Sequence, residues 1–121
     1  MARSELYSTC SIDPAVVIVF KPNEILSADV VGEMYSTLKD LARQARETKF
    51  VLDFSRVGYL SSSALGMLIG LQRDFAQRDR EMKLAGINNE NREVFRITKL
   101  DRVFDIYDDT QAALEAFRRH E

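Results

Sequence analysis

The run Ala15-Val16-Val17-Ile18-Val19-Phe20 constrains the fold more than any other feature of the sequence. It is apolar throughout and mostly β-branched, and such residues favour extended strands. A continuous apolar run, in contrast to an alternating one, is typical of a strand that is buried on both faces. Because strands of this kind belong mainly to parallel sheets, the run predicts an α/β domain in which helices cover the sheet.

Further strands and helices are predicted to alternate along the chain. The weakly alternating segment 5–11 predicts an edge strand, and Asp13-Pro14 predicts a turn. The remaining predicted elements are a helix at 28–46, a strand at 50–54, a helix from Ser62 or Ser63 to 78, a strand at 82–87, a short helix at 89–98, a strand at 103–107 and a helix at 110–119. This alternation indicates parallel strands joined by right-handed crossovers. At 121 residues, the whole chain, 1–121, is predicted to be a single domain.

Helical spacing of apolar residues predicts which side of each helix faces the core. Ser27 is the predicted N-cap of the helix at 28–46. The residues predicted to face inward are Val31, Met34, Leu38, Leu41, Ala42 and Ala45 in the first helix, Val94, Phe95 and Ile97 in the third, and Ala113, Leu114 and Phe117 in the last.

Composition excludes several classes of function. The formal net charge is -2 at pH 7, whereas a general nucleic-acid binder normally carries a clustered basic excess. The single cysteine, Cys10, cannot form an internal disulfide or a cysteine-based zinc site. The longest apolar runs are shorter than the roughly 20 residues that span a bilayer, and the first residues do not resemble a secretory signal. We therefore expect a cytoplasmic protein without membrane insertion, direct nucleic-acid binding, metal or cofactor.

The triple serine Ser61-Ser62-Ser63 stands between a predicted strand and an apolar helical segment. A serine before such a segment is the usual N-cap, because its hydroxyl accepts a hydrogen bond from an unpaired N–H of the first turn. Capping needs one serine, so two hydroxyls remain at a helix end where a phosphate would be favourable. Ser62 is predicted to cap the helix or bond the turn, and Ser61 to lie on the surface. A phosphate on one of these serines is therefore a hypothesis that the sequence supports.

The first half of this predicted helix is apolar on almost all sides, although a helix that covers a sheet needs only one apolar stripe. The excess predicts a docking face near the helix start, with Met67 and Leu71 as candidates for its outer side. Gly66 and Gly70 lie one helical turn apart and would allow a close approach, either by the sheet beneath or by a partner helix.

The segment Asp53-Phe54-Ser55 is followed by the pair Tyr59-Leu60 and then by Ser62-Ser63-Ala64-Leu65-Gly66. This arrangement resembles the signature of STAS domains, the bacterial anti-anti-sigma factors. That signature runs from a strand ending in Asp-apolar-Ser, through an aromatic-apolar pair, to Asp-Ser-Ser/Thr-Gly-Leu-Gly at the start of a helix, and the spacing matches without gaps. The order of elements suits the family across roughly residues 15–117.

The resemblance implies a small mixed, mainly parallel sheet with about four helices packed mainly on one face. It also implies a non-enzymatic domain that binds a serine kinase, which doubles as an anti-sigma factor, and is released when the kinase phosphorylates the second serine of the motif. A serine phosphatase is the other implied partner. The phosphorylated serine corresponds to Ser63, with Ser62 as the alternative. The partner-binding residues would be Ser61, Ser62, Ser63, Ala64, Met67 and Leu71.

The departures from the family pattern mainly remove acidic groups. Ser61 stands where the family has aspartate, and Ala64 replaces the glycine that follows the two serines. Upstream, Asn23-Glu24-Ile25-Leu26 matches a Gly-Glu-Leu-Asp loop, so Leu26 replaces an aspartate. The missing carboxylates favour a second hypothesis: a constitutive STAS scaffold subunit of a larger signalling or lipid-transport assembly, without a phosphoswitch.

A third hypothesis is a small enzyme or nucleotide binder that uses the serine turn as an anion site, which a thermal shift with nucleoside triphosphates would test. Against it, the single histidine, His120, stands beside the C-terminus, and Gly-x-Ser-x-Gly, Walker and Rossmann motifs are missing. A metal site could be proposed at Asp105, Asp108 and Asp109, but capping and solvation are the preferred interpretation of these carboxylates. We therefore expect no enzymatic activity. The sequence leaves the oligomeric state and the identity of the partner open.

Overall fold

The structure, a computed structural model, describes residues 6–21 and 28–119. Its strands are β1 (Tyr7–Ile12), β2 (Ala15–Phe20), β3 (Lys49–Asp53), β4 (Glu81–Ala85) and β5 (Asp105–Tyr107). Its helices are α1 (Ala28–Gln44), α2 (Ser62–Gln77), α3 (Asn89–Ile97) and α4 (Thr110–Arg119), with a short 3₁₀ helix at Leu100–Arg102. The predicted order of strands and helices is confirmed, and the 3₁₀ helix is an addition to it. The predicted N-cap Ser27 and the segment Asn23-Glu24-Ile25-Leu26 lie outside the described residues.

The strands form one mixed, mainly parallel sheet in the order β1-β2-β3-β4-β5. The edge strand β1 runs antiparallel to β2 across the turn at Asp13-Pro14, whose peptide bond is cis. β2, β3, β4 and β5 are parallel to one another. Parallel neighbours require a crossover connection, which α1, α2 and α3 provide. The carboxyl ends of these strands therefore lie along one edge of the sheet, and the end of β3 leads into α2.

Helices cover both faces of the sheet, but most of them lie on one face. Residues of α1, α2 and α3 pack with alternate residues of β2, β3 and β4 in the larger core, whereas Ala113, Leu114 and Phe117 of α4 pack on the opposite face. The continuous apolar run of β2 follows from this arrangement, because Ile18 is buried in the first core and Val17 in the second. The expectation of helices mainly on one face is confirmed, and α4 is the exception.

The apolar faces of α1 and α4 are as predicted, but the face of α3 is not. Phe95 is fully buried, whereas Val94 and Ile97 are 38% and 65% exposed, so the prediction that both face inward is wrong. The position one turn before Phe95 is occupied by a buried polar residue, Asn91, because its amide binds the loop that precedes α2. Among the described residues, no helix is both long and apolar enough to cross a membrane.

Candidate functional site

The chain leaves the sheet at Asp53 in a direction that several hydrogen bonds determine. One carboxylate oxygen of Asp53 accepts from the Ser55 N–H at 2.8 Å, and the other accepts from the Thr110 hydroxyl at 2.7 Å. The Phe54 N–H donates to the Ala85 carbonyl at 2.8 Å, and the Phe54 ring is buried in the core. The turn that leads to the serines is therefore attached to both β4 and α4.

Gly86, directly after β4, allows the backbone of Ser55 in this turn to lie close to its own backbone. Its φ is +76°, a left-handed backbone that residues with a side chain rarely adopt. A Cβ at this position would stand 3.0 Å from the Ser55 nitrogen. Gly86 is therefore required both by its backbone conformation and by the close approach of Ser55.

The loop between this turn and α2 is held by the side chain of Asn91. The Asn91 amide oxygen accepts from the Leu60 N–H at 3.3 Å, and the amide nitrogen donates to the Gly58 carbonyl at 3.0 Å. Asn88 donates to the same carbonyl at 2.8 Å. Sequence reasoning missed both asparagines, although the pair Asn88-Asn89 is of a type that marks turns.

Ser61 is the N-cap of α2. Its backbone is extended, with φ -73° and ψ 166°, and its hydroxyl oxygen accepts from the Ala64 N–H at 3.1 Å. The prediction that Ser62 caps the helix or bonds the turn, with Ser61 on the surface, is wrong, because Ser61 provides the cap. Serine and aspartate are both strong N-caps, so a serine at this position provides the cap without a negative charge.

Ser62 and Ser63 are the first residues of α2, and both are exposed. Within the described part of the chain, neither their hydroxyls nor their backbone N–H groups have a hydrogen-bond partner. The first turn of α2 contains no acidic residue. These two hydroxyls therefore lie at the positive end of the helix dipole with unpaired donors beside them.

The residues predicted to form the outer side of α2 face the core instead. Met67 and Leu71 are 4% and 0% exposed, and Ala64 is also fully buried. The prediction that Met67 and Leu71 point outward is wrong, because α2 turns their side of the helix toward the sheet. The close approach at Gly70 is made by the Tyr35 side chain of α1 and not by the sheet, since a Cβ there would meet the Tyr35 hydroxyl at 2.8 Å.

The aspartates near the C-terminus each bind a different partner. Asp105 pairs with Lys83 at 3.2 Å, Asp108 pairs with Arg92 at 2.9 Å, and Asp109 caps α4 by accepting from the Ala112 N–H at 2.8 Å. Within the described residues, no cluster of three His, Cys, Asp or Glu residues suits a metal ion. Ion pairing and capping thus account for all three carboxylates.

A cleft of about 570 Å³ borders α3, and the three serines do not line it. Its lining residues are Asn89, Arg92, Glu93, Arg96, Asp101 and Ile106. A hydrogen bond from Arg96 lowers the pKa of the Glu93 carboxyl, and the same contact raises the pKa of Arg96. Because Arg92 is paired with Asp108, both arginines of the cleft have carboxylate partners.

Curated relatives of this sequence include two bacterial proteins. BtrV of Bordetella bronchiseptica, provisionally named an anti-sigma factor antagonist, is 31% identical over 72 residues, which make up 60% of this chain and 62% of BtrV. The match therefore spans less than two thirds of BtrV. A Thermotoga maritima protein with the same provisional name is 25% identical over 103 residues, 85% of this chain and 91% of that protein.

Solved structures with the same fold include the anti-sigma factor antagonist SpoIIAA. Its unphosphorylated form superposes with a TM-score of 0.76 at 19% identity, covering 93% of this chain and 96% of SpoIIAA. The phosphorylated form from Bacillus superposes with a TM-score of 0.69, covering 92% of this chain and 98% of SpoIIAA. The family model for the STAS domain matches residues 10–113, a span that includes the serine segment. This chain therefore belongs to the STAS domain family.

Proposed function

We propose that this protein is an anti-sigma factor antagonist: a cytoplasmic, non-enzymatic interaction module that binds a serine kinase and is released by phosphorylation of Ser63. The kinase would double as the anti-sigma factor, and a serine phosphatase would restore the unmodified form. Membership of the STAS family and the names of the relatives support an anti-sigma factor as the partner.

The observation that carries the proposal is that the three serines differ in position: Ser61 caps α2, whereas Ser62 and Ser63 are exposed. Ser61 caps α2, which leaves the hydroxyl of Ser63 exposed and without a structural task in the described residues. A kinase must reach its acceptor hydroxyl, and an exposed first-turn serine is accessible without unfolding the helix. Ser62 is exposed in the same way and remains the alternative acceptor.

A phosphate at Ser63 would be compatible with the folded domain. It adds a charge of about -1.5 to -2 and accepts hydrogen bonds, and the unpaired N–H groups of the first turn are suitable donors. The first turn of α2 contains no carboxylate that would repel it. In a complex, the same charge would have to be desolvated at the interface, so modification would weaken binding and leave the fold intact.

Binding by charge variants of Ser63 tests this proposal. Wild type, Ser63→Asp and Ser63→Asn would be used as baits in a lysate of the native organism, with mass spectrometry of the retained proteins and calorimetry on the purified partner. Asparagine has the shape of aspartate without its charge. We expect Ser63→Asp to bind at least tenfold more weakly, about 1.4 kcal/mol, and Ser63→Asn to bind nearly as well as wild type.

Equal binding of wild type and Ser63→Asp would contradict the phosphoswitch. A loss shared by Ser63→Asn would assign the effect to side-chain shape. The unfolding midpoints of the variants provide the control, because each variant should remain as stable as wild type.

A constitutive STAS scaffold is the second candidate, favoured by the neutral Ser61 at a position where the family has aspartate. It predicts that the same partner is retained by every Ser63 variant. The bait comparison therefore distinguishes the two functions directly.

A further inference from the structure

The loop before the serines is bound by a side-chain amide in the way that a neighbouring strand would bind it. Asn91 accepts from the N–H of Leu60 and donates to the carbonyl of Gly58, two residues earlier. This pair of bonds attaches residues 58–60 to α3 at two points. Asn91 is 5% exposed, so its bonds are protected from competing water.

Asn88 connects the same loop to the start of α3. Its amide nitrogen donates to the Gly58 carbonyl at 2.8 Å, while its amide oxygen caps α3 by accepting from the Asn91 N–H at 2.8 Å. The first turn of α3 therefore supports the loop. We call Asn88 and Asn91 the asparagine clamp.

The clamp determines how Tyr59 is presented. Val57 and Leu60 on either side of it are each 5% exposed and anchored in the core, whereas Tyr59 itself is 65% exposed. Tyr59 lies two residues before the N-cap Ser61, next to the exposed serines in the sequence. Exposed tyrosines are frequent anchors of protein interfaces because they bury a large area for little loss of conformational entropy.

We propose that the asparagine clamp positions Tyr59 as an anchor for the partner that binds at the start of α2. This inference rests on the proposed function only for the identity of that partner, the serine kinase. Holding the loop in advance reduces the entropy that binding must otherwise remove, so the clamp raises affinity without touching the partner. Asn88 and Asn91 are thus positioning residues, and Tyr59 is the residue in contact.

The clamp can be tested first on the isolated chain by amide hydrogen exchange and ¹⁵N relaxation. Asn91→Leu removes both bonds and keeps the branched shape of the side chain, and Asn88→Ser keeps a capping hydroxyl for α3 but is too short to reach Gly58. We expect the Leu60 amide to exchange roughly tenfold faster in Asn91→Leu, and residues 58–60 to become more mobile in both variants. Unchanged exchange and relaxation in both variants would overturn the proposal.

The role of Tyr59 is tested by a double-mutant cycle on partner affinity. The four proteins are wild type, Tyr59→Ala, Asn91→Leu and the double variant, measured by calorimetry with the protein retained on the wild-type bait. We expect each single variant to bind about tenfold more weakly and the double variant to lose no more than Tyr59→Ala alone. Additive losses would mean that Asn91 acts independently of Tyr59, which would refute the proposal.

The double-mutant cycle and the comparison of Ser63 variants test the clamp and the phosphoswitch independently. Coupling between Asn91 and Tyr59 together with equal binding of Ser63→Asp would support the clamp and reject the phosphoswitch. Additive losses together with weak binding of Ser63→Asp would reject the clamp and support the phosphoswitch. If Asn91→Leu does not fold, Asn88→Ser replaces it in the cycle with the same expectation.

Discussion

Replacing Ser61 by alanine should destabilise the domain, whereas the same change at Ser62 or Ser63 should not. The Ser61 hydroxyl accepts from the Ala64 N–H at 3.1 Å in a half-buried position, and alanine would leave that N–H without its acceptor. Loss of a serine N-cap typically lowers the free energy of unfolding by about 1 kcal/mol. For a domain of this size, that corresponds to a decrease of roughly 3–5 °C in the unfolding midpoint.

The neighbouring serines provide matched controls. Ser62 and Ser63 are exposed helical residues, and alanine is a better helix former than serine, so Ser62→Ala and Ser63→Ala should stay within about 0.5 kcal/mol of wild type. Ser61→Asp should restore the cap and add about 0.3–1 kcal/mol through its charge at the helix N-terminus. The variants would be compared by urea and thermal denaturation followed by circular dichroism.

The reasoning would be refuted if Ser62→Ala were as destabilising as Ser61→Ala, because the cap would then lie one position later. A second contradictory result would be a Ser61→Asp protein as unstable as Ser61→Ala. In that case, the cap hydrogen bond would not account for the stability that Ser61 provides.

Two further substitutions test contacts outside the serine segment, one at the amino end of β4 and one directly after its carboxyl end. Arg80 donates to the carbonyls of Ala42 and Ala45 at the end of α1, at 3.0 and 3.5 Å, so Arg80→Ala should lower the free energy of unfolding by about 1–2 kcal/mol in urea denaturation, with partial recovery in Arg80→Lys. An Arg80→Ala protein as stable as wild type would show that these bonds contribute nothing. Gly86→Ala should lose about 2 kcal/mol or more, because alanine is strained at φ +76° and its Cβ would stand 3.0 Å from the Ser55 nitrogen. Thermal denaturation measures this loss, and a midpoint equal to that of wild type would contradict it.

Local sequence patterns predict the elements well because each depends on nearby residues. The run at β2 predicts a strand buried on both faces, and the structure places its alternate residues in two cores. The apolar spacing in α1 predicts its inward face for the same reason. Such patterns determine which segments become helices or strands, since propensity and periodicity are properties of a short stretch of chain.

The orientation of a nearly all-apolar helix is not a local property. In α2, the periodicity allowed Met67 and Leu71 to face outward, and the packing of α2 against the sheet and α1 places both inside. In α3, Val94 and Ile97 are exposed because the side of the helix that faces the core carries Asn91 and Phe95. A sequence pattern cannot distinguish these arrangements, because each requires knowledge of what the helix packs against.

The sequence alone predicts the α/β class, the order of elements, the family and the position of the serine segment at a helix start. Which residues hold the loop before α2 depends on tertiary contacts. The reason is distance along the chain: Asn91 binds Gly58 and Leu60 across more than thirty positions. A hydrogen bond of that separation requires β4 and α3 to lie beside the loop, and no pattern among neighbouring residues predicts it.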